Sequence, residues 1–411
     1  MYKIILCFPF FKIIHINVVT MSDVVIVNAK RTAIGKFLGS LSGLSAPQIG
    51  SSVINAIFDE SKIEKSIVDE VIMGQVLTGG CGQNPARQAM MISNIPYEKS
   101  ALTINQVCGS GLRAVSIAAQ SILTAQSQVI IAGGQESMSN SHHTANLRNG
   151  IKMGDGEIKD SMIVDGLWCA MNNYHMGTTA ENIAEKFSIS KEEQDTFAVE
   201  SQNKAENAQK NGYFKKEICP IKIRIKKDEM DFDTDEFPRH GSTFEKINSL
   251  KSVFKKDGTV SAGNASGLND GAAAVLLMKE TKAKELNLNP MARIVSWSTV
   301  GVDPSIMGIG PVPAVKKALT EAKWDINDLD LIEANEAFAA QSIAVSKELQ
   351  LDMDKVNVNG GAIALGHPIG ASGTRVLVTL IHELIRQNKN KGIATLCIGG
   401  GQGVAMCIER I

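Results

Sequence analysis

Several residues lie in glycine-rich segments that could support nucleophilic and acid-base chemistry. Cys108 lies in NQVCGSGLRAVSIAAQ, directly before an apolar pattern that predicts a helix. A thiol at the N-terminus of a helix is stabilised as a thiolate by free N–H groups and by the helix dipole. The same N–H groups can stabilise an oxyanion. Cys108 is therefore a candidate nucleophile, and the alternative is an inert buried cysteine near a helix start.

Three more residues could handle protons or hold a charged oxygen. His367, in NGGAIALGHPIGASGTR, could accept the thiol proton and later donate a hydrogen bond to an enolate oxygen, or it could be structural. Cys397, in TLCIGGGQG, is a candidate acid or base for a carbon acid, or an ordinary core cysteine. Asn335, in EANEAFAAQ, could hold a water or an oxyanion, or cap a helix.

An α/β pattern would position these residues. Short apolar runs predict buried strands, and segments of helical length lie between several of them. The runs are Val24 to Val27, Val71 to Met73, Val129 to Ala132 and Ile393 to Ile398. Ser190 and Glu193 form a possible capping box for a helix that Gly212 ends.

A weak internal duplication relates the Cys108 and His367 segments. CGSGLRAVSIAAQSIL followed by VIIAGG has the same design as GHPIGASGTRVLVTLIHELI followed by IATLCIGGG. In each, a glycine-rich turn opens a predicted helix that returns into an apolar strand, and Gly111 corresponds to Gly373. The pattern predicts two similar domains related by a pseudo-twofold axis, with both helix N-termini facing one cleft. The alternative is that glycine turns simply begin many α/β helices.

The segment from about Met138 to Gly267 lacks the strand and helix alternation and predicts an inserted subdomain. The expected domains are 21–137 together with 268–289, the insert 138–267, and 290–411. Within the insert, the alternating basic run IKIRIKK favours a solvated strand edge over a phosphate site.

Length and composition narrow the class of protein. A chain of 411 residues with 36 glycines is too long for one compact core, so two or more domains are expected. The formal net charge is -1, which predicts no nucleic-acid partner and no binding to an anionic membrane. The 7 cysteines are scattered without metal-ligand pairs or a disulfide framework, which favours a reducing cytosol.

Residues 1–20, MYKIILCFPFFKIIHINVVT, are apolar, but Lys12 and His15 interrupt the run and no small-residue cleavage site follows. The run is also short for a membrane span. Met21 opens MSDVVIVNAKRTAIGKF, which begins like a cytosolic protein. An over-extended start or a disordered extension is therefore favoured over a targeting segment.

Four motifs together resemble those of the thiolase family over Met21 to Ile411. NQVCGSGLRA is similar to the nucleophile motif, NEAFA to the asparagine motif, GGAIALGHPIGASG to the histidine motif and CIGGGQG to the second-cysteine motif. The resemblance implies an α/β thiolase-like fold, with two similar mixed-sheet halves in a layered αβαβα arrangement and an inserted loop domain. It also implies reversible Claisen condensation of two acetyl-CoA into acetoacetyl-CoA and CoA, with no cofactor and no metal.

The family resemblance also implies a role for each reactive group. Cys108 would take the acetyl group, and His367 would activate Cys108 and form one oxyanion hole with a water held by Asn335. Cys397 would shuttle the α-proton. The backbone N–H groups of Cys108 and Gly399 would form the second oxyanion hole.

The predicted insert resembles the family's CoA-binding loop domain. Residues expected to contact CoA or the acyl group are Leu167, His175, Met176, Arg239, Phe254, Ala262, Ser266, Met307 and Phe338. Arg239 suits a phosphate or an adenine face, and Ser266 suits the pantetheine amide. The same loop segment implies a homotetramer, assembled as a dimer of dimers.

Other functions remain as alternatives. Ketoacyl synthases and 3-hydroxy-3-methylglutaryl-CoA synthase also use cysteine, histidine and asparagine but lack the CIGGGQG cysteine, so Cys397 favours a reversible Claisen reaction. A degradative 3-ketoacyl-CoA thiolase of fatty-acid β-oxidation is the alternative within the family, although YHMGTTAEN and SIMGIGPVPA look more like the short-chain biosynthetic type. A non-catalytic CoA-binding or lipid-transfer protein would be expected to lose the reactive cysteines, and both are present.

Overall fold

The computed structural model describes residues 24–225 and 228–411, so the predictions for residues 1–20 lie outside the described residues. The strands are β1 (Val24–Thr32), β2 (Gly35–Lys36), β3 (Glu70–Gly74), β4 (Ser100–Ile104), β5 (Val129–Ser137), β6 (His143–Thr144), β7 (Lys159–Asp160), β8 (Trp168–Cys169), β9 (Tyr174–His175), β10 (Ile218–Cys219), β11 (Ile221–Ile225), β12 (Asp228–Phe232), β13 (Asn269–Lys279), β14 (Ala292–Gly301), β15 (Leu331–Ala334), β16 (Lys391–Ile398) and β17 (Gln402–Arg410). The α-helices are α1 (Ala46–Ser61), α2 (Pro85–Ile92), α3 (Ser110–Leu123), α4 (Met176–Lys186), α5 (Lys191–Lys210), α6 (Phe244–Asn248), α7 (Glu280–Glu285), α8 (Pro311–Ala322), α9 (Ala339–Leu349), α10 (Ala362–Leu365) and α11 (Ser372–Arg386).

The predicted strands and the predicted capping box are confirmed. The four apolar runs lie within β1, β3, β5 and β16. Helix α5 begins after Ser190, whose Oγ accepts a hydrogen bond from the Glu193 backbone at 3.1 Å. The Glu193 carboxylate in turn accepts from the Ser190 backbone at 2.8 Å, so both N–H groups are satisfied at the helix start.

The described residues form one mixed sheet of 11 strands, with the main path β15-β16-β17-β14-β1-β13-β5-β3-β4. The two halves of this path repeat one pattern. In the first half, β3 is parallel to β5, which pairs antiparallel with β13, which pairs antiparallel with β1. In the second half, β15, β16, β17 and β14 follow with the same directions. The antiparallel contact of β1 with β14 joins the halves, and this confirms the predicted duplication.

Helices cover both outer faces of the folded sheet and fill the space between its halves. Alternate residues of β5 show this, because Ile130 packs in the central cluster with α3 and α11, whereas Ile131 packs in the outer cluster with α1 and α2. A third cluster packs α8 and α9 against β15 and β16 on the opposite outer face. The layers therefore alternate as αβαβα, as the sequence predicted.

Helices α3 and α11 meet at their first turns. A Cβ added at Gly373 would lie 2.3 Å from the backbone nitrogen of Leu112, and one added at Gly111 would lie 2.7 Å from that of Thr374. Backbone thus touches backbone, which only glycine permits at these positions. The close approach brings together the two loops that precede these helices, and those loops carry Cys108 and His367.

Segment 138–267 contains short hairpins and helices α4, α5 and α6 rather than strands of the large sheet, apart from β10. Strand β11 pairs with β12, and it buries Ile221 and Ile223 while Lys222 and Arg224 are exposed. The basic run is therefore a solvated strand as predicted, and its last two lysines lie outside the described residues. The domain boundaries themselves remain a prediction.

Candidate active site

Cys108 lies on a constrained turn between β4 and α3. The preceding residue, Val107, has a φ of 47°, which is strained for a β-branched side chain. Hydrogen bonds hold this conformation, since the Val107 N–H donates to Asn105 Oδ1 at 2.9 Å and its carbonyl accepts from Ser110 Oγ at 2.6 Å. Ser110 Oγ also accepts from the Gln106 N–H at 2.8 Å. The turn fixes the thiol immediately outside the helix.

Burial and backbone donors act in opposite directions on the Cys108 thiol. Burial raises its pKa to about 11, while the backbone N–H groups of Gly399 and of Cys108 itself lower it. The negative charge of Glu136 is a further, smaller cause of the rise. Desolvation outweighs these donors, so the resting group is a thiol, although a helix N-terminus by itself favours the thiolate.

His367 is buried in the loop before α11. Its backbone N–H donates to Asn269 Oδ1 at 2.8 Å, and its ring Nδ1 lies 2.6 Å from Ser372 Oγ. Within the described residues, the other ring nitrogen, Nε2, is buried and has no hydrogen-bond partner. Burial, together with the charge of Arg375, lowers the pKa of His367 to about 3. The imidazole is therefore neutral and can accept a proton.

Asn335 and Cys397 lie at the ends of two adjacent parallel strands. Strands β15 and β16 pair through Ala334 and Thr395, and the Asn335 N–H donates to the Thr395 carbonyl at 3.0 Å. The Oδ1 and Nδ2 atoms of Asn335 are buried without a partner in the described part of the chain, so Nδ2 can donate to a water or a substrate oxygen and Oδ1 can accept from a water. Burial, and then the charge of Cys108, raise the pKa of the Cys397 thiol well above its usual value.

An apolar cluster surrounds Cys397 and contains four of the nine residues predicted to contact CoA or the acyl group. Met176, Met307 and Phe338 are buried in it, and Phe254 packs against it. The Phe254 ring meets Phe338 edge-on at 6.3 Å between ring centroids. The cluster therefore forms the apolar wall of a small site next to the second thiol.

Further contacts connect this wall to the Cys108 turn. The His175 ring stacks on Phe254 at 4.7 Å between centroids. A Cβ added at Gly399 would lie 3.4 Å from both Met176 Sδ and Val107 Cγ1, so Gly399 lies between the wall and the turn. The two cysteine segments thus share one cleft, as the duplication predicted.

The remaining predicted contacts are divided between the cleft and the surface. Leu167 packs in the same apolar cluster as Cys108. The Ser266 N–H donates to the Ala337 carbonyl at 3.0 Å, which places Ser266 beside the Asn335 loop. Arg239 and Ala262 are exposed, and Arg239 lies over the Phe237 ring at 5.5 Å.

Sequence reasoning missed two groups that shape the site. Glu136 accepts hydrogen bonds from the backbone N–H groups of Val76, Leu77 and Gly370, at 3.0, 3.2 and 2.9 Å. Glu136 thereby ties the segment after β3 in the first half to the His367 loop of the second, and burial raises the pKa of Glu136 to about 7. Asn269 supports the same loop, because its Oδ1 accepts a hydrogen bond from the His367 N–H. The segments GGQES and GLNDG did not indicate these roles, because the bonding partners are far away in the chain.

A lysine-rich cavity was also missed. It has a volume of about 580 Å3 and opens beside Phe254. Its lining includes Lys191, Lys251, Lys255 and Lys256. Lys191 and Lys255 already form ion pairs, with Asp195 and Glu185. The cavity therefore adds positive charge next to the apolar wall.

Comparisons with known proteins agree over nearly the whole chain. Residues 24–281 match the thiolase N-terminal domain model and residues 288–410 match the thiolase C-terminal domain model. An acetyl-CoA acetyltransferase of Allochromatium vinosum is 58% identical over 95% of this chain and 99% of the relative. A cytosolic acetyl-CoA acetyltransferase of Mus musculus is 54% identical over 94% of this chain and 98% of the relative.

Two solved structures have the same fold. The crystal structure of the Bacillus anthracis acetyl-CoA acetyltransferase has a TM-score of 0.93 and is 46% identical, covering 96% of this chain and 100% of its own. Human mitochondrial 3-ketoacyl-CoA thiolase in complex with CoA has a TM-score of 0.92 and is 44% identical, covering 95% and 98%. Fold similarity of this degree does not separate the two activities.

Proposed function

This chain belongs to the thiolase family and acts as an acetyl-CoA C-acetyltransferase, and we propose that Cys108, His367, Cys397 and Asn335 carry out its reaction. The reaction is the reversible Claisen condensation of two acetyl-CoA into acetoacetyl-CoA and CoA. One observation carries the assignment of residues. The Gly399 N–H reaches the Cys108 thiol, the charge of Cys108 acts on the Cys397 thiol, and buried polar atoms of His367 and Asn335 have no partner within the described residues, which supports a shared site.

In the first half-reaction, His367 Nε2 takes the thiol proton while Cys108 Sγ attacks the carbonyl carbon of acetyl-CoA. The carbonyl oxygen becomes an oxyanion and accepts hydrogen bonds from the N–H groups of Cys108 and Gly399. When the tetrahedral intermediate collapses, the C–S bond to CoA breaks, and Cys397 protonates the departing CoA thiolate. The enzyme is left with acetyl-Cys108, a His367 imidazolium and a Cys397 thiolate.

In the second half-reaction, the Cys397 thiolate removes an α-proton from a second acetyl-CoA. Its raised pKa suits this task, because a more basic thiolate is a better match for a weak carbon acid. The enolate oxygen accepts from His367 Nε2–H and from a water held by Asn335. The enolate carbon attacks acetyl-Cys108, acetoacetyl-CoA leaves, and His367 returns its proton to the Cys108 sulfur.

We propose that the CoA molecule extends from this cleft towards the lysine-rich cavity. Met176, Phe254 and the His175 ring would line the pantetheine arm, with Ser266 near its amides. Lys251 and Lys256 would face the phosphates, because a cluster of ammonium groups beside an apolar channel suits an anionic ligand with a thin apolar arm. Arg239 and Ala262, at the surface, would be reached only by the outer, nucleotide end of CoA.

The short-chain preference within the family is also a proposal. Met307 and Phe338 are buried together in the wall next to Cys397, where they would limit the length of the acyl chain. Turnover of acetoacetyl-CoA should therefore exceed that of a longer 3-ketoacyl-CoA, such as 3-ketohexadecanoyl-CoA. Equal or faster cleavage of the longer substrate would favour the degradative alternative.

Two further aspects of the function are proposed. A cytosolic location is supported by the name of the mouse relative and by the scattered cysteines. Across the described residues, no helix is long and apolar enough to cross a membrane. We also propose that the CoA thioesters react without a cofactor, since thiols and an imidazole supply the proton transfers described above.

The experiment that tests the nucleophile is a mass measurement on Cys108→Ala and the natural protein. After exposure to acetyl-CoA, the natural protein should carry one acetyl group on the peptide that contains Cys108. The alanine variant should fold, because the side chain loses only its sulfur, but should lose acyl transfer. An acetyl group found only on another peptide would show that Cys108 is not the nucleophile.

A further inference from the structure

We propose that Ser372 is a positioning residue that fixes the tautomer of His367, so that the proton lies on Nδ1 and Nε2 is left as the base for Cys108. This inference rests on the proposed function. It concerns a residue whose hydroxyl does not face the substrate.

The hydrogen-bond partners of Ser372 Oγ favour one direction for each bond. Oγ lies 2.9 Å from the carbonyl oxygen of Pro368 and 2.6 Å from His367 Nδ1. A carbonyl oxygen can only accept, and a hydroxyl has one hydrogen to donate. If that hydrogen points to Pro368, then Nδ1 must be protonated and donate the hydrogen bond to the Ser372 hydroxyl. The opposite arrangement would leave two oxygens 2.9 Å apart with no hydrogen between them.

The rest of the ring agrees with this assignment. His367 is buried, and burial keeps the ring neutral, so it carries one hydrogen on one of its two nitrogens. With that hydrogen on Nδ1, the lone pair of Nε2 is free. Nε2 is also the ring atom that has no partner in the described part of the protein. The nitrogen left unsatisfied by the fold is thus the one that the reaction needs.

The pseudo-symmetry of the fold supplies an independent argument. Helix α3 also begins with a serine, Ser110, whose Oγ donates to the Val107 carbonyl at 2.6 Å. The same hydroxyl accepts a hydrogen bond from the backbone N–H of Gln106 at 2.8 Å, and a backbone N–H can only donate. At the start of α11, Ser372 makes the same pair of bonds with the His367 ring in place of the backbone donor. Each half therefore uses its first helical serine to hold the loop that carries a reactive group.

This arrangement fits the proton transfers of the proposed cycle. The proton on Nδ1 stays there throughout and is donated in a hydrogen bond to Ser372 Oγ, while Nε2 receives the Cys108 proton and later returns it. When the ring becomes an imidazolium, the Nδ1–H bond to Oγ strengthens because its donor is now charged. Ser372 thus favours both protonation states that the cycle requires.

The test compares Ser372→Ala and Ser372→Thr with Ser116→Ala. Ser116 is a buried serine of α3 whose hydroxyl donates to the backbone carbonyl of Arg113 and lies outside the cleft, so its variant controls for the loss of a buried hydroxyl. The readout is the single-turnover rate of acetyl-Cys108 formation between pH 6 and 9. We expect Ser372→Ala to slow acylation by about 10- to 100-fold at pH 7. The loss is only part of what a general base contributes, because His367 itself is still present.

The pH profile separates a tautomer effect from a structural one. In Ser372→Ala the deficit should shrink as pH rises, because hydroxide then deprotonates the thiol without help from His367. Ser372→Thr, which keeps the hydroxyl, should recover most of the rate, and Ser116→Ala should stay within about 2-fold of the natural protein. A folded Ser372→Ala variant that acylates normally would overturn the inference. A pH-independent deficit that threonine does not repair would overturn it as well.

A measurement on the unmodified sequence covers the case in which the Ser372 variants do not fold. Solid-state 15N spectra of histidine-labelled protein, with His367→Asn to assign the signal, should show hydrogen on Nδ1 and none on Nε2 at pH 7. A ring protonated at Nε2 alone would refute the inference. These outcomes leave the nucleophile untouched, since that proposal fails only if Cys108 takes no acetyl group.

Discussion

At the scale of single residues, the Cys108 thiol and the His367 imidazole are both uncharged before the substrate reacts. Burial raises the pKa of Cys108 to about 11 and lowers that of His367 to about 3, so the resting pair is a thiol and a neutral imidazole. The thiolate is therefore formed during attack on the thioester. This protects the nucleophile from oxidation and alkylation between turnovers, since the thiolate is the reactive form of cysteine.

The pH dependence of alkylation tests this neutral resting state. Without substrate, the rate at which iodoacetamide modifies Cys108 should rise about tenfold per pH unit from pH 6 to 9, because the thiolate fraction rises while pH stays below the pKa. Peptide mapping is needed, since Cys81 is also partly exposed. A rate that is already constant by pH 7 would mean that the backbone donors, and not burial, control the thiol.

Cys397→Ala should separate two activities that the natural protein combines. Formation of acetyl-Cys108 and exchange of acetyl groups between CoA molecules need no carbon deprotonation, and CoA can leave as a thiolate. Condensation needs the α-proton removed and should fall by about 10²- to 10⁴-fold. Labelled CoA exchange and acetoacetyl-CoA formation can be followed in one sample. If exchange falls as far as condensation, Cys397 is required for acetyl transfer itself, and the proposed division of roles between the two cysteines is wrong.

At the scale of elements, the sequence predicted what depends on local pattern. The buried strands, the α5 capping box and the duplication follow from periodicity and glycine spacing, and all are present. The strain at Val107 could not be predicted, because nothing in NQVCGSG indicates a left-handed valine. The Glu136 bond to Gly370 spans 234 positions of the chain, so its partner becomes visible only in the fold.

The contact between α3 and α11 gives a prediction at this scale. Gly373→Ala should destabilise the protein by about 1–3 kcal/mol or more, since the new Cβ would lie 2.3 Å from backbone that cannot move freely. Acylation should fall too, because the two loops before these helices would be pushed apart. Gly43→Ala is the matched control, as an added Cβ there meets nothing within 4 Å. Thermal melting and acylation rates of the two variants would show whether the close approach matters.

At the scale of the whole molecule, the described residues expose apolar side chains on at least two separate surfaces. One is the edge strand β4, where Leu102 is 41% exposed, with Met91 and Ile92 of α2 exposed nearby. An unpaired edge strand with apolar side chains invites pairing with another chain. The other lies between β6 and β7, where Leu147, Ile151, Met153 and Ile158 are exposed. Two separate surfaces of this kind suit a dimer of dimers.

The last prediction is a homotetramer that can be dissected in two steps. Light scattering should give about four times the chain mass of 44.1 kDa. Met153→Asp, at a side chain that is 92% exposed, should reduce the mass to about twice that of the chain while the dimer remains active, because a charge there disfavours only the second contact. Met230→Asp on the exposed strand β12 adds the same charge outside both surfaces and should leave the tetramer intact.

Leu102→Asp should weaken the dimer itself and lower activity. The edge-strand contact is the more secure of the two, since it combines apolar burial with unpaired backbone groups. A natural protein that was stable and active as a monomer would rule out both contacts.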